Sequence, residues 1–483
     1  MTLAARALLL LLLGVALGTN AVAADAPQPQ RDENRDLDLI PQTVTPAANS
    51  ETSVPATSNA SNASNAKIYL ENAFTQSWLR ATAVPLPPPP PSPWEERMLL
   101  DVRDQWRLAP RLNLAYSGRL NVRAEDRLGF PNHENVINEF REGYASWEPT
   151  DGVFVDAGRI NLRSGVALGL NPTDYFRTRT VVEPLSVDPV VLREDRLGTL
   201  MLRAQRLWVH GSLTAAYAPA VASNSAIAND SGLKSFDPGF DRTNSQDRFL
   251  LKGSVDVVEG FAPELLAYHE NGSTRWGLNL TQGVGQRVVA YAEWSGGPRP
   301  GLVEEALRFG RATGTLPPNA PGALQQDPRQ HFRSELAAGA SYTTEQPKIT
   351  FNLEFNYNQA GFSGTNWDDW FQAGRSATGA SKLAGQLWYI RAYANDQQEQ
   401  LSRSAAFLRA DWVDAFVPKL ELSGFIYSNL LDGSGRLQLS ADYQLSDHWT
   451  VGALVLTDFG ARRSEFGSLP QAGSVLLKLV RYL

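Results

Sequence analysis

The 483-residue chain contains no cysteine. Disulfide staples, zinc–thiolate sites, haem attachment through thioethers and cysteine nucleophiles are excluded on that ground, and so is a lipoprotein anchored through a lipidated cysteine. Histidine is scarce too. His133, His210, His269, His331 and His448 are scattered, and no pair has metal-ligand spacing on a common element. A cationic surplus is missing: 44 Lys and Arg against 51 Asp and Glu leave a net charge of −7. A nucleic-acid partner, which demands a basic footprint, is not expected. No phosphate loop or dinucleotide glycine motif stands in the strand-to-helix setting it needs. Long apolar runs are absent as well, since no stretch of 18 consecutive apolar residues occurs after the N-terminal segment. Lipid admits only helices and closed barrels, because each satisfies its own backbone polar groups. The mature chain is therefore either exported and soluble or a membrane barrel.

What is present begins with an address. Arg6 supplies a positive start, Ala7 to Leu17 an apolar core, and Ala21-Val22-Ala23 a small-x-small cleavage site, which together read as a secretory signal peptide over 1–23. Residues 24–66 are poor in bulky apolar side chains and end in a Ser-Asn-Ala repeat, the composition of a disordered periplasmic leader. Pro87 to Pro91 predicts an extended polyproline segment.

From about residue 97 onward period-two alternation dominates. Leu112, Leu114, Tyr116, Leu120 and Val122 oppose Asn113, Ser117, Arg119, Asn121 and Arg123. Ile349 to Asn358 and Arg436 to Leu445 alternate in the same way. Such segments are β-strands with their two faces in different solvents. Their length of about ten residues is what a tilted strand needs to cross a bilayer. A soluble sandwich also alternates, but its strands are typically about five or six residues long. Connectors also alternate in length. Ala109-Pro110-Arg111, Thr150-Asp151-Gly152 and Ser446-Asp447-His448 are short, whereas 166–197, 222–246, 298–331 and 361–400 are long. Short turns at one end and long loops at the other are the signature of an up-and-down membrane barrel.

Seventeen strands are legible between 97 and 483. A bacterial barrel with both ends on one side needs an even number. Residues 67–80, with Ile68, Leu70, Phe74 and Trp78 on one face, supply the eighteenth. Sixteen is the fallback. Residues 386–398 are excluded as a strand, because Leu387, Ile390, Arg391 and Ala394 fit a helical face and another strand would invert two connectors. The expected fold is an all-β, transmembrane, antiparallel barrel over 67–483, with a partly helical loop at 366–398 folded over or into the pore.

The stretch Val155-Asp156-Ala157-Gly158-Arg159-Ile160-Asn161-Leu162-Arg163-Ser164-Gly165 is similar to a glycine–arginine strand that leads into a long loop, here opening with Leu170-Asn171-Pro172-Thr173-Asp174-Tyr175-Phe176. On these residues, and on its strand pattern, the chain resembles the porin-like outer-membrane barrels, including the alginate-export-like and substrate-specific porin families. The ending Tyr482-Leu483 is similar to the amphipathic last strand that barrel-assembly machinery reads, with the aromatic displaced by one. The resemblance implies passive passage of a solute or polymer, without cofactor, in the outer membrane of a Gram-negative bacterium.

Arg103, Arg119, Arg123, Arg159, Arg163 and Arg203 fall on faces that alternation assigns to the lumen. A guanidinium ladder in a water-filled pore attracts carboxylates and phosphates. The same arginines can instead brace the wall against Glu125, Glu139, Glu142 and Asp156. In the loop, Asp174, Tyr175, Arg177, Glu183 and Asp188 are candidates for a constriction. Trp367, Trp370 and Phe371 suit either sugar stacking or helix packing. His269 with Glu270 is the one adjacent pair that invites a catalytic reading, and no enzyme is expected from it. The expected function is a channel for small polar, anionic or saccharide solutes; the alternative is a loop-occluded scaffold barrel for polysaccharide attachment or export. The sequence carries no sign of oligomeric state.

Overall fold

A computed structural model describes residues 66–126, 135–182, 184–227, 237–258, 260–318, 324–379 and 381–483. The signal peptide expected over 1–23, the leader up to residue 65, His133 and Glu183 lie outside the described residues.

The described chain forms 18 strands. They are β1 (Lys67–Leu79), β2 (Trp94–Ala109), β3 (Leu112–Glu125), β4 (Val136–Thr150), β5 (Val153–Ile160), β6 (Thr199–Trp208), β7 (Gly211–Ala218), β8 (Arg248–Val255) and β9 (Glu264–Glu270). The second half comprises β10 (Ser273–Val284), β11 (Val288–Arg299), β12 (His331–Thr343), β13 (Ile349–Asn358), β14 (Ser404–Trp412), β15 (Leu420–Asn429), β16 (Gly435–Ser446), β17 (Trp449–Phe459) and β18 (Gln471–Tyr482). Each pairs antiparallel with the next. β1 closes the ring, with Ala73 opposite Arg97 of β2 on one side and Lys478 of β18 on the other. The eighteenth strand deduced from parity is β1, and its Phe74 and Trp78 point outward as its alternation requires.

Cross-strand partners share a face, so register carries the inside and outside assignment around the ring. Leu202, Phe249, Leu251, Leu265, Leu353, Leu439 and Leu477 are exposed on the outer face. Outward Trp106, Trp147, Trp208, Tyr342 and Tyr443 gird the short-turn end, and Trp78, Tyr217, Trp276, Phe332 and Phe459 the long-loop end. An apolar belt between aromatic girdles is the surface that a bilayer and its two interfaces select. No helix among the described residues is long and apolar enough to cross a membrane.

Among the described residues, α-helices occur only in the long connectors: α1 (Pro189–Glu194), α2 (Phe240–Thr243), α3 (Leu302–Ala312), α4 (Gly364–Arg375) and α5 (Lys382–Asp396). The helical face read in 386–398 is α5, whose Leu387, Ile390, Arg391 and Ala394 are all buried. Ser363 and Asn366 form a capping box at the start of α4. Trp367, Trp370 and Phe371 belong to its packed face, in one apolar cluster with α3 and α5.

One strand ends earlier than alternation suggests. β5 stops at Ile160, not Gly165. Gly158 has φ +138°, and a Cβ there would strike the Gly143 carbonyl and Tyr144. Gly165 has φ +89°, and a Cβ there would lie 2.6 Å from both carboxylate oxygens of Glu293. Only glycine relieves both constraints. These two residues bracket the point where the chain leaves the wall and crosses the lumen.

Candidate functional site

The connector 161–198 is held inside the barrel by carboxylates of the wall. Glu293 of β11 accepts the amides of Val166 and Ala167, the Asn171 side-chain amide at 3.3 Å and the Thr173 hydroxyl at 3.0 Å. Glu354 of β13 accepts the amides of Leu168, at 2.9 Å, and of Gly169 and Leu170, both at 3.2 Å. Successive backbone N–H groups thus converge on two buried anions, which satisfies loop donors that would otherwise be stranded in the lumen. Farther along, Ser186 and the Val187 amide bond Gln438 of β16. Asp188 caps α1, accepting from the Val190 amide at 3.0 Å, and also pairs with Arg409 of β14. At the end of α1, Asp195 reaches Arg103 and Arg141 at 3.2 Å and Arg119 at 3.1 Å. The loop therefore spans the lumen from β11–β13 to β2–β4.

The remaining constriction candidates sit along this bridge. Asp174 is buried, with Arg196 at 2.8 Å and Arg193 at 3.8 Å. Burial pushes its carboxyl up, but Arg196 and Arg193 outweigh burial and hold it below the ordinary aspartate value. Tyr175 stacks on Tyr268 of β9 with ring centroids 4.5 Å apart, and its hydroxyl lies 3.0 Å from Ser295. Arg177 reaches Glu335 of β12 at 3.3 Å.

The six candidate arginines divide. Arg103, Arg119, Arg123 and Arg203 lie on the inward face. Arg119 and Arg103 share Asp101 and Asp195 with Arg141, and Arg203 bonds Asp156 at 2.6 Å. Arg123 continues the row at Arg97, with its carbonyl accepting from Asn135. Arg163 lies beyond β5, in the inward connector. Arg159 departs from the alternation reading. Its cross-strand partners are Gly143 and Leu200, on the same face as outward Trp147 and Leu202, and its guanidinium lies between the rings of Phe140 and Phe240. β5 carries a charged side chain on each face, Asp156 inward and Arg159 outward, so polarity alone does not tell a period-two count which face is the lumen.

A cavity of about 470 Å³ lies on the long-loop side of the bridge. Tyr175 and Arg177 supply one wall, Arg248, Arg275 and Arg299 the barrel side, and α3 with the end of α5 another wall through Phe309 and Tyr393. Most of its charges are matched. Arg299 holds Glu305 and Glu335 at 2.6 Å and Glu399 at 2.7 Å, and Arg248 lies 3.3 Å from Glu270. Arg275 differs. Its guanidinium sits over the rings of Tyr175 and Tyr268, at 5.1 and 5.2 Å, with no carboxylate paired to it among the described residues. Arg308 of α3 faces the same space exposed and without an ion pair among the described residues. Sequence reasoning missed Arg275 because it stands alone in its strand, and nothing local sets it apart from a bracing arginine. His269 and Glu270 point to opposite faces of β9, with His269 2.9 Å from the Thr274 hydroxyl and Glu270 beside Arg248. Their adjacency in sequence does not make a catalytic pair.

Comparison with known proteins gives a likeness of fold. No family model matches the chain, and no curated protein matches it. Among solved structures, Pseudomonas aeruginosa OccK8 (OprE) is similar at TM-score 0.49 and 11% identity, over 87% of this chain and 98% of that one. OccK11 (OpdR) of the same organism gives 0.47 and 11%, over 87% and 96%. A mutant Rh. blastica porin gives 0.39 and 9%, over 87% and 100%. The described strands close into an antiparallel ring of 18, with one long connector turned inward.

Proposed function

We propose that the protein is an outer-membrane channel for the passive passage of small polar solutes, favouring anions, with 161–198 as its constriction. The observation that carries this reading is the pinned loop beside a cavity in which Arg275 and Arg308, both cationic, have no direct ion pair among the described residues. A guanidinium stacked on two tyrosines keeps its donors free for a carboxylate or phosphate. Two cations above a narrow, water-filled passage raise the local anion concentration. Acidic sugars fit the same chemistry. No covalent step is required of any residue. The test is the single-channel current of the refolded protein in a planar bilayer, with its reversal potential under a salt gradient. A stable, anion-favouring current is expected. Arg275→Gln together with Arg308→Gln should move the reversal potential toward neutrality.

A second reading has its own observation. α3, α4 and α5 form an apolar core over the long-loop end, suited to an occluded barrel that scaffolds a surface polysaccharide. A silent protein with the heat-shifted gel mobility of a folded barrel would favour that reading over the channel.

A further inference from the structure

The external connectors hold a packed body of their own, and three sets of contacts fix it. The first is a strap, the proline-rich connector between β1 and β2. Its Val84 is buried in the helical core, and its Pro85 carbonyl accepts the Trp388 indole N–H at 2.9 Å. The second is a latch on the barrel rim. Arg391 of α5, ringed by Trp367, Trp370 and Trp388, donates to the Glu465 carbonyl and the Ser468 hydroxyl, both at 2.8 Å. The Glu465 carboxylate in turn accepts from Ser402 at 2.5 Å and Asn429 at 2.9 Å.

The third set points downward. Asp396, the last residue of α5, takes Arg179 at 2.9 Å and Arg242 at 3.1 Å. The Arg179 amide donates to the Asp396 carbonyl at 2.9 Å. Gln398 donates to the Arg177 carbonyl at 2.6 Å and to the Thr180 hydroxyl at 2.9 Å. These partners lie on the constriction loop, two to five residues from Tyr175, and on the 219–247 connector. One buried carboxylate therefore joins three long loops. Breaking it would leave buried charge without its partner, so the clamp resists rupture and transmits displacement.

We propose that α3–α5 form a gate mechanically coupled to the constriction through Asp396, so that lifting the helices from the outside loosens 174–180. The proposal rests on the channel reading and adds its regulation. A close-packed core moves as a unit between discrete arrangements, which is what a gate needs.

The cysteine-free chain gives a clean background for the test. In Val84→Cys with Gly374→Cys, the new disulfide would tie strap to α4. A Cβ on Gly374 lies 3.0 Å from the Val84 Cβ, slightly inside the span of about 3.5–4.5 Å that a disulfide takes. Single-channel current is recorded from the full chain, oxidised and then reduced. Oxidation is expected to cut the time spent in the fully open level by about fivefold or more, and reduction to restore it. Adding Asp396→Asn should make the openings indifferent to oxidation. Arg179→Gln with Arg242→Gln, which removes both partners of that carboxylate, gives the same readout if Asp396→Asn does not fold. Equal open times in both redox states, with the disulfide verified by thiol counting, would overturn the coupling and leave the channel standing. No current in either state from folded protein would overturn the channel reading and the gate with it.

Discussion

Arg119 illustrates how a residue suited to attracting solute is used to hold the wall. It is 5% exposed and divides its donors between Asp101 and Asp195, so its charge is spent inside the protein. Arg119→Ala would take one of three arginines from buried Asp101 and from half-buried Asp195. A destabilisation of about 1–3 kcal/mol is expected, visible as a lower temperature for the heat-modified gel shift, with noisier current because Asp195 anchors the loop. Arg275 has the opposite profile. Arg275→Gln gives up two ring contacts and no direct ion pair, so its cost should be smaller, about 1 kcal/mol by the same gel shift. It should still shift the reversal potential. If Arg119→Ala altered ion preference with no loss of stability, the brace and solute roles assigned to these two arginines would be reversed.

Among the elements, the connector 460–470 and its Glu465 set the hold of the helical cap. Burial pushes this carboxyl up, to about 7; Ser402, Asn429 and Arg391 oppose the rise, and Asp432 adds to it. Its folded value lies above its unfolded value, so folding takes up a proton between about pH 4.5 and 7. Stability from this group is therefore greatest below the lower value. It falls as pH rises through that window and is flat above about 7, by about 3 kcal/mol at most. Proteolysis of α4–α5 should be slower at pH 5 than at pH 8, and Glu465→Gln should flatten the difference. A wild-type rate unchanged across that range would remove Glu465 from the latch. Glu293→Gln, which loses the anion that gathers the Val166 and Ala167 amides, should instead agitate the constriction and raise current noise with the cap intact.

For the whole molecule, most of the strand order was legible because lipid enforces one rule on every strand. Ile349 to Asn358 must present apolar groups at every second position, and parity then demands a strand at 67–79. What escaped the sequence is what lipid does not touch. Asp195 meets Arg103, Arg119 and Arg141 only after the loop has turned inward, across about ninety residues of chain for Arg103 and fifty for Arg141. Arg159 was misread because β5 carries charge on both faces, Asp156 inward and Arg159 outward, so polarity does not mark its luminal side. With its lumen bridged by one loop and partly roofed by helices, the barrel should conduct well below an open ring of 18 strands, which encloses an aqueous channel. Removing 166–173, the strip held by Glu293 and Glu354, should raise unitary conductance several-fold; an unchanged value would mean that current is limited elsewhere.

The seat of the constriction has a consequence for how such a protein can diversify. Glu293 and Glu354 grip main-chain amides from Val166 to Leu170 and ignore the side chains those residues carry. Inheritance can therefore rewrite Leu168 and Leu170 without unseating the loop, provided Gly165 and Gly169, which crowd the two carboxylates, and Ala167, fully buried against Tyr291 and Ala337, are kept. On the channel reading, lineages descended from such a barrel can change what the constriction presents to a passing solute by point substitution, while the architecture that holds it stays put.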